Sequence, residues 1–166
     1  MKYSAALLAA IGSVQAGLEF GSCPENIPFI PRLRKEKYVG RWYEKARDWT
    51  TNFEWFGECT TATYRPRKDK EISVENRAWF WWTFFDYYQV DGSAACNNLE
   101  DGTTSGKCYV NFTGDQTRAY EDDLANYHVV DTDYETFSLV YSCSVPWWGL
   151  TALKWDLLWV LSRDEP

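Results

Sequence analysis

The sequence predicts an all-β chain in which eight antiparallel strands close into an up-and-down barrel. Three observations carry that expectation. Short runs of alternating or β-rich residues recur from residue 40 to residue 163, each bounded by turn chemistry. No long helical periodicity, internal repeat or low-complexity linker interrupts them. The 166 residues are 45% hydrophobic and 18% aromatic, with 10 Trp, 11 Tyr and 9 Phe, which suits one domain with a real core and excludes disorder. Closing eight antiparallel strands on themselves removes their exposed edges and leaves room for one small ligand. A β-sandwich stays open as the alternative, because strand count alone does not separate the two.

Residues 1–16 read as a secretory signal peptide. Lys2 supplies the charge, residues 5–14 the apolar stretch, and Val14-Gln15-Ala16 a cleavage site after Ala16, leaving residues 17–166 as a single barrel domain. The strands follow in order. Residues 40–47 form the first, and residues 59–65 the second, closed by Pro66 and Arg67-Lys68-Asp69-Lys70. Residues 71–78 alternate most cleanly, with Ile72, Val74 and Asn76 on one face. Residues 87–96 contain Asp91-Gly92, which predicts a bulge or turn. Residues 107–112, 126–131, 137–143 and 154–163 complete the set. The uncharged stretch 136–153 reaches 18 residues, but Ser138, Ser142, Ser144, Pro146 and Gly149 make it strand, loop and strand, not a membrane span.

The net charge of −7 argues against nucleic acid or an anionic membrane as electrostatic partner. A single histidine rules out His-rich metal sites, and no cofactor motif is present. In an oxidising compartment the five cysteines should be mostly paired, with one left over. Cys96 and Cys108 are close enough across a hairpin to bond. Asn111-Phe112-Thr113 is a glycosylation sequon, and alternation puts Val110 and Phe112 inside the barrel and Asn111 outside.

In an up-and-down barrel alternate connections share an end, so Trp42, Asp133, Tyr134 and Arg163 converge on one rim. There Trp42 plugs the floor, the Arg163 guanidinium stacks on it, and Gly40 allows close approach. The other rim receives residues 79–88, with eight aromatics in ten positions, and residues 146–150. Trp79, Trp81, Trp82, Phe84, Phe85, Trp147 and Trp148 would form an aromatic mouth suited to a lipid particle or membrane surface, unless they pack on one another.

Three islands carry a family resemblance. Lys37-Tyr38-Val39-Gly40-Arg41-Trp42-Tyr43-Glu44 contains a Gly-x-Trp signature, Thr132-Asp133-Tyr134 lies between the sixth and seventh strands, and Arg163 closes the last. In this order the chain resembles the lipocalins, and Cys23-Pro24, Phe53-Glu54, Cys59, Tyr64 and residues 126–143 resemble their apolipoprotein D-like secreted branch. The resemblance implies a Cys23–Cys143 disulfide and a pocket lined by Tyr64, Asn76 and Trp159. Strand parity adds Ile72, Val74, Val110, Phe112 and Leu157, an apolar wall with few polar groups that suits a small hydrophobic ligand. The family continues past its last strand into a helix and a tail that holds the partner of Cys59; this sequence ends at Pro166, so Cys59 is expected to lack that partner. Two other functions stay open: an interaction protein whose barrel is filled by aromatics, and a lipid isomerase using Cys59. Glu58 beside Cys59 does not favour the thiolate, His128 reads as a wall residue, and no catalytic residue is assigned.

Overall fold

Alternation and turn chemistry produce a closed eight-stranded antiparallel barrel in the computed structural model, which describes residues 17–47, 57–67, 71–80, 87–112, 119–145 and 153–165. The barrel strands are β2 (Gly40–Arg47), β3 (Gly57–Pro66), β4 (Ile72–Phe80), β5 (Tyr87–Asn98), β6 (Thr104–Asn111), β7 (Tyr127–Thr132), β8 (Phe137–Ser144) and β9 (Leu153–Ser162). Each pairs with its sequence neighbour, and β9 returns to β2 to close the ring. Three elements have no counterpart in the expected set: a 3-10 turn at Asp122–Leu124 between β6 and β7, and two that come before the first barrel strand. A short strand β1 (Gly17–Phe20) and one helical turn α1 (Lys35–Tyr38) precede the barrel.

β1 completes an edge. Along one side of β9, β2 covers Trp159–Ser162, and β1 takes over at Leu153–Asp156. The chain then crosses the outer wall as a strap. Cys23 is bonded to Cys143 on β8, and the Phe29 ring lies 6.4 Å from that of His128 on β7. Ile30 enters the seam between β6 and β7: its N–H donates to the Val129 carbonyl (2.9 Å) and its carbonyl accepts from Gly106 N–H (2.8 Å). Leu33 and Thr104 exchange two further backbone bonds of 2.6 and 3.0 Å.

This insertion explains why β6 and β7 pair directly only at Lys107–His128 and Cys108–Tyr127. On the mouth side the Asn126 side chain fills the same seam, accepting from Val110 N–H (2.8 Å) and donating to the Val110 carbonyl (3.0 Å). Backbone groups at a splayed seam need partners, and Ile30 and Asn126 supply them from opposite ends. Gly106 fits here because a Cβ would meet the carbonyls of Ile30 and Val129 at 2.9 and 3.0 Å.

One local expectation is corrected. Asp91-Gly92 neither bulges nor turns: β5 stays in register with β4 through Glu75–Asp91 and Val74–Gly92. Gly92 answers to sterics instead, since a Cβ there would lie 2.4 Å from the Asn111 carbonyl oxygen. The acidic segment Glu121-Asp122-Asp123 lies against the outer wall, where Asp122 pairs with Lys107 at 2.8 Å.

Candidate functional site

The closed end is built around Trp42, which has no solvent exposure. Its indole N–H donates to the Tyr38 carbonyl (2.9 Å), and the Arg163 guanidinium lies 3.7 Å from its ring centroid. Arg163 also caps α1: it donates to the carbonyls of Lys37 (3.0 Å), Tyr38 (3.0 Å) and Val39 (3.1 Å), and reaches Arg41 (2.7 Å) and Tyr134 (3.3 Å). A cation over orphan helix-terminal carbonyls and an aromatic face gains on both counts. Gly40, with φ +108°, brings the backbone under this arginine: a Cβ would stand 3.1 Å from Arg163 Nη1.

The β7–β8 turn completes that end. Asp133 Oδ1 accepts from the backbone N–H groups of Glu135, Thr136 and Phe137, and Oδ2 accepts from the Thr136 hydroxyl. The Thr136 hydroxyl and these N–H groups hold its carboxyl well below the usual carboxylate range. Thr132 Oγ1 accepts from Tyr134 N–H (3.0 Å) and donates to the Phe137 carbonyl (2.6 Å). Tyr134 adopts φ +72°, and the Arg34 guanidinium lies 5.0 Å from its ring centroid.

Above Trp42 the barrel encloses a cavity of about 410 Å³. Of the residues expected to line it, Tyr64, Val74, Asn76, Val110, Phe112, Leu157 and Trp159 border it. Ile72 is the exception: it is buried in the floor core and does not reach the cavity. Parity gave its side of the sheet correctly but not its depth. Tyr88, Val90, Asn126, Tyr127, Ser142 and Ser144 border the cavity and were not anticipated, although each sits on an inward strand position or at a strand end.

A narrow extension of about 50 Å³ continues toward the floor and reaches Glu44. Glu44 stands two residues after Trp42 and shares its inward face, a signal that a carboxylate in an apolar wall obscures. It is ion-paired with Arg47 Nε, and Arg47 Nη2 lies 3.3 Å from Thr60 Oγ1. Tyr64 and Tyr127 share a hydroxyl bond of 2.6 Å, and Tyr38 bonds Ser138 at 3.0 Å. Burial pushes all three phenols above their ordinary range, so they remain neutral donors and acceptors. Asn76 Oδ1 is buried with no hydrogen-bond partner among the described residues.

At the mouth, Tyr87, Tyr88, Phe112 and Val145 are exposed, and Trp79 is half-buried at the end of β4. Trp81, Trp82, Phe84, Phe85, Trp147 and Trp148 lie outside the described residues. So does the Cys59 side chain, although its backbone belongs to β3. Asn111 ends β6 half-buried. Both disulfides, Cys23–Cys143 and Cys96–Cys108, are formed. His128 lies away from the cavity, buried between Phe29 and Tyr141.

A family model described as "Lipocalin-like domain" matches residues 33–166. Rabbit (Oryctolagus cuniculus) apolipoprotein D is 31% identical over 160 residues, spanning 95% of this chain and 76% of that protein. Among solved structures, insecticyanin from the tobacco hornworm Manduca sexta superposes with a TM-score of 0.64 at 22% identity, covering 91% of this chain and 74% of that one. The amine binding protein of Rhodnius prolixus, solved with tryptamine, gives a TM-score of 0.55 at 17% identity, covering 88% and 73%. Barrel, floor and these likenesses agree: the chain belongs to the lipocalin-like family.

Proposed function

We propose that the protein is a secreted, non-catalytic carrier of a small, largely apolar molecule held in the cavity above Trp42. The observation that carries this reading is the cavity of about 410 Å³, walled by Val74, Val90, Val110, Leu157 and Trp159, with Tyr64, Asn76, Asn126 and Tyr127 among its polar lining. Ligand pockets combine these features: mostly apolar walls, with a few placed polar groups that orient the occupant. Among the described residues, Trp42 and Trp159 leave that space unfilled. Lipocalin-like neighbours add support, the Rhodnius protein being described as amine binding.

Secretion rests on the signal-like residues 1–16 and on two disulfides, which persist in oxidising compartments. A glycan on Asn111 accords with the outward register of that residue beside Val110. Trp159 borders the cavity, so titration with retinoids, sterols or fatty acids should quench intrinsic tryptophan fluorescence saturably. If none of the three classes gives saturable quenching, the carrier reading fails.

The mouth suggests where cargo is exchanged. Tyr87, Tyr88, Phe112 and Val145 are exposed there, and Tyr88 and Phe112 also border the cavity. Tyrosine favours the membrane interface, while the net charge of −7 disfavours anionic lipid. The partner is therefore a zwitterionic lipid surface, and flotation with phosphatidylcholine vesicles tests it. Protein that stays at the bottom of the gradient removes this part of the reading.

A further inference from the structure

The outer wall of the barrel carries an apolar face near the closed end. Trp159 and Leu161 of β9 and Val140 of β8 point inward, to the cavity and its extension. Alternation therefore turns Leu158 and Val160 on β9, and Phe137 and Leu139 on β8, to the outside. Register makes them neighbours: Tyr43, Ser162 and Phe137 stand in one row, and Ala46, Val160, Leu139 and Asp131 in the next. Towards the mouth the same two strands are covered, with Cys143 bonded to Cys23 and both Cys143 and Asp156 buried. Nearer the floor Phe137 and Val160 remain 38% and 37% exposed. Scattered apolar side chains on a surface are ordinary, but a group of them on one face marks a contact.

The two edges of this face carry opposite charge. Lys45 is the extra residue of the β2 bulge beside Ala46, and Arg41 lies nearer the floor on the same strand. Across the face Asp131 stands beside Leu139, with Glu135 in the turn that follows. All four are exposed, and none has an ion-pair partner among the described residues.

We propose that this face binds the same face of a second copy of the chain, about a two-fold axis that runs along the strands between β8 and β9. A two-fold contact joins one patch to itself, and here the charges select the axis. With the axis along the strands, each edge meets the opposite edge of the other copy at the same height, so Lys45 faces Asp131 twice. With the axis across the strands, each edge would meet itself, cation against cation. At the centre Val160 of each copy packs on Leu139 of the other. Both mouths then lie on the same side of the pair, clear of the contact. A face of this width falls at the low end of specific interfaces, about 1,200 Å² in total, which makes a reversible dimer.

Analytical ultracentrifugation of the unsubstituted protein, from low micromolar to several hundred micromolar, should show monomer passing into dimer. Val160→Lys should weaken association at least about tenfold, because an ammonium would be buried against Leu139. The added lysine lowers the net negative charge, so general repulsion does not account for that loss. Its thermal melt should stay that of the unsubstituted protein, since Val160 faces away from core and cavity. Lys45→Glu and Asp131→Lys should each weaken association about tenfold by reversing two contacts per dimer, and the two together should restore it to within about threefold. A protein that is monomeric at every concentration overturns the inference; loss of vesicle flotation on Val160→Lys would then assign the face to lipid. A dimer that survives Val160→Lys forms through another surface and overturns it as well. Single reversals without effect, or a double variant no better than its parts, refute the axis and the pairing with it.

Discussion

The two disulfides close loops of very different length, and that difference sets a quantitative expectation. Cys23–Cys143 spans 120 residues of sequence and Cys96–Cys108 spans 12. Constraint of the unfolded chain scales with the logarithm of loop length, giving about 4.9 kcal/mol for the first and about 2.8 kcal/mol for the second at room temperature. Packing works the other way. Cys96, Cys108 and Cys143 are buried and Cys23 is only half-buried, so opening the hairpin cystine loses more sulfur burial, by about 0.8 kcal/mol. The pair Cys23→Ala, Cys143→Ala should therefore destabilise the protein by about 1 kcal/mol more than Cys96→Ala, Cys108→Ala. Alanine at both ends leaves no orphaned thiol from the removed disulfide. Urea unfolding of the two double variants measures the difference, read from midpoints at equal slope. Amide exchange at Ile30 and Leu33 should also quicken in the first variant, because the strap loses its anchor. If the hairpin variant is the less stable of the two, chain entropy is not what the long staple contributes, and the reasoning fails.

Further predictions concern the floor, the seam and the outer wall. Trp42→Ala should cost about 3–5 kcal/mol, and a variant with an unchanged denaturation midpoint would contradict its place as the barrel plug. Arg163→Met should cost about 3 kcal/mol, with Arg163→Lys recovering little because an ammonium does not span the carbonyls of Lys37, Val39 and Arg41, as thermal melts would show. Gly106→Ala should cost about 1–3 kcal/mol and expose the Ile30 amide to exchange, since its Cβ would press on two backbone carbonyls that have little room to move. His128 provides a pH prediction. Burial, then the nearby Lys107 charge, hold its pKa below the ordinary value, with Asp122 opposing. Its contribution is full above the unfolded-state value of about 6.5 and is lost as pH falls from there through the folded-state value. His128→Gln should flatten that part of the stability–pH curve, and an unaltered curve would remove the histidine as its cause.

Much of this architecture is legible from local pattern. The period-2 runs and their turn residues are properties of neighbouring residues, so all eight barrel strands and their order follow from the sequence, with ends shifted by a few residues. Because alternate connections of such a barrel share an end, the same reading brings Trp42, Asp133, Tyr134 and Arg163 together. The partners of Ile30 were not legible. It sits in the stretch Ile27-Pro28-Phe29-Ile30-Pro31, which carries no strand signature, and its hydrogen bonds run to Gly106 and Val129 far along the chain. β1 escaped for the same reason, since four residues show no period and the stretch of β9 that receives them is left free only by where β2 ends.

The cavity divides along the same line. Alternation determines which residues face inward, and it places Tyr64, Val74, Asn76, Val110, Leu157 and Trp159 on the cavity side of the wall. It says nothing of height along the axis, so Ile72, with the same parity as Val74, belongs to the floor core instead. Height depends on how far neighbouring strands are staggered as the sheet closes, a property of the whole barrel. The chemistry of the lower cavity is likewise a tertiary matter. Glu44 is neutralised by an arginine three residues on, whereas Asn76 Oδ1 is left open among strands that meet only after closure. The sequence alone determined the eight strands, which follow from short-range periodicity, and the motifs that resemble lipocalins pointed from those strands to the barrel and its plug. Only the folded structure decided what the interior offers a ligand, because burial and pairing depend on every strand at once.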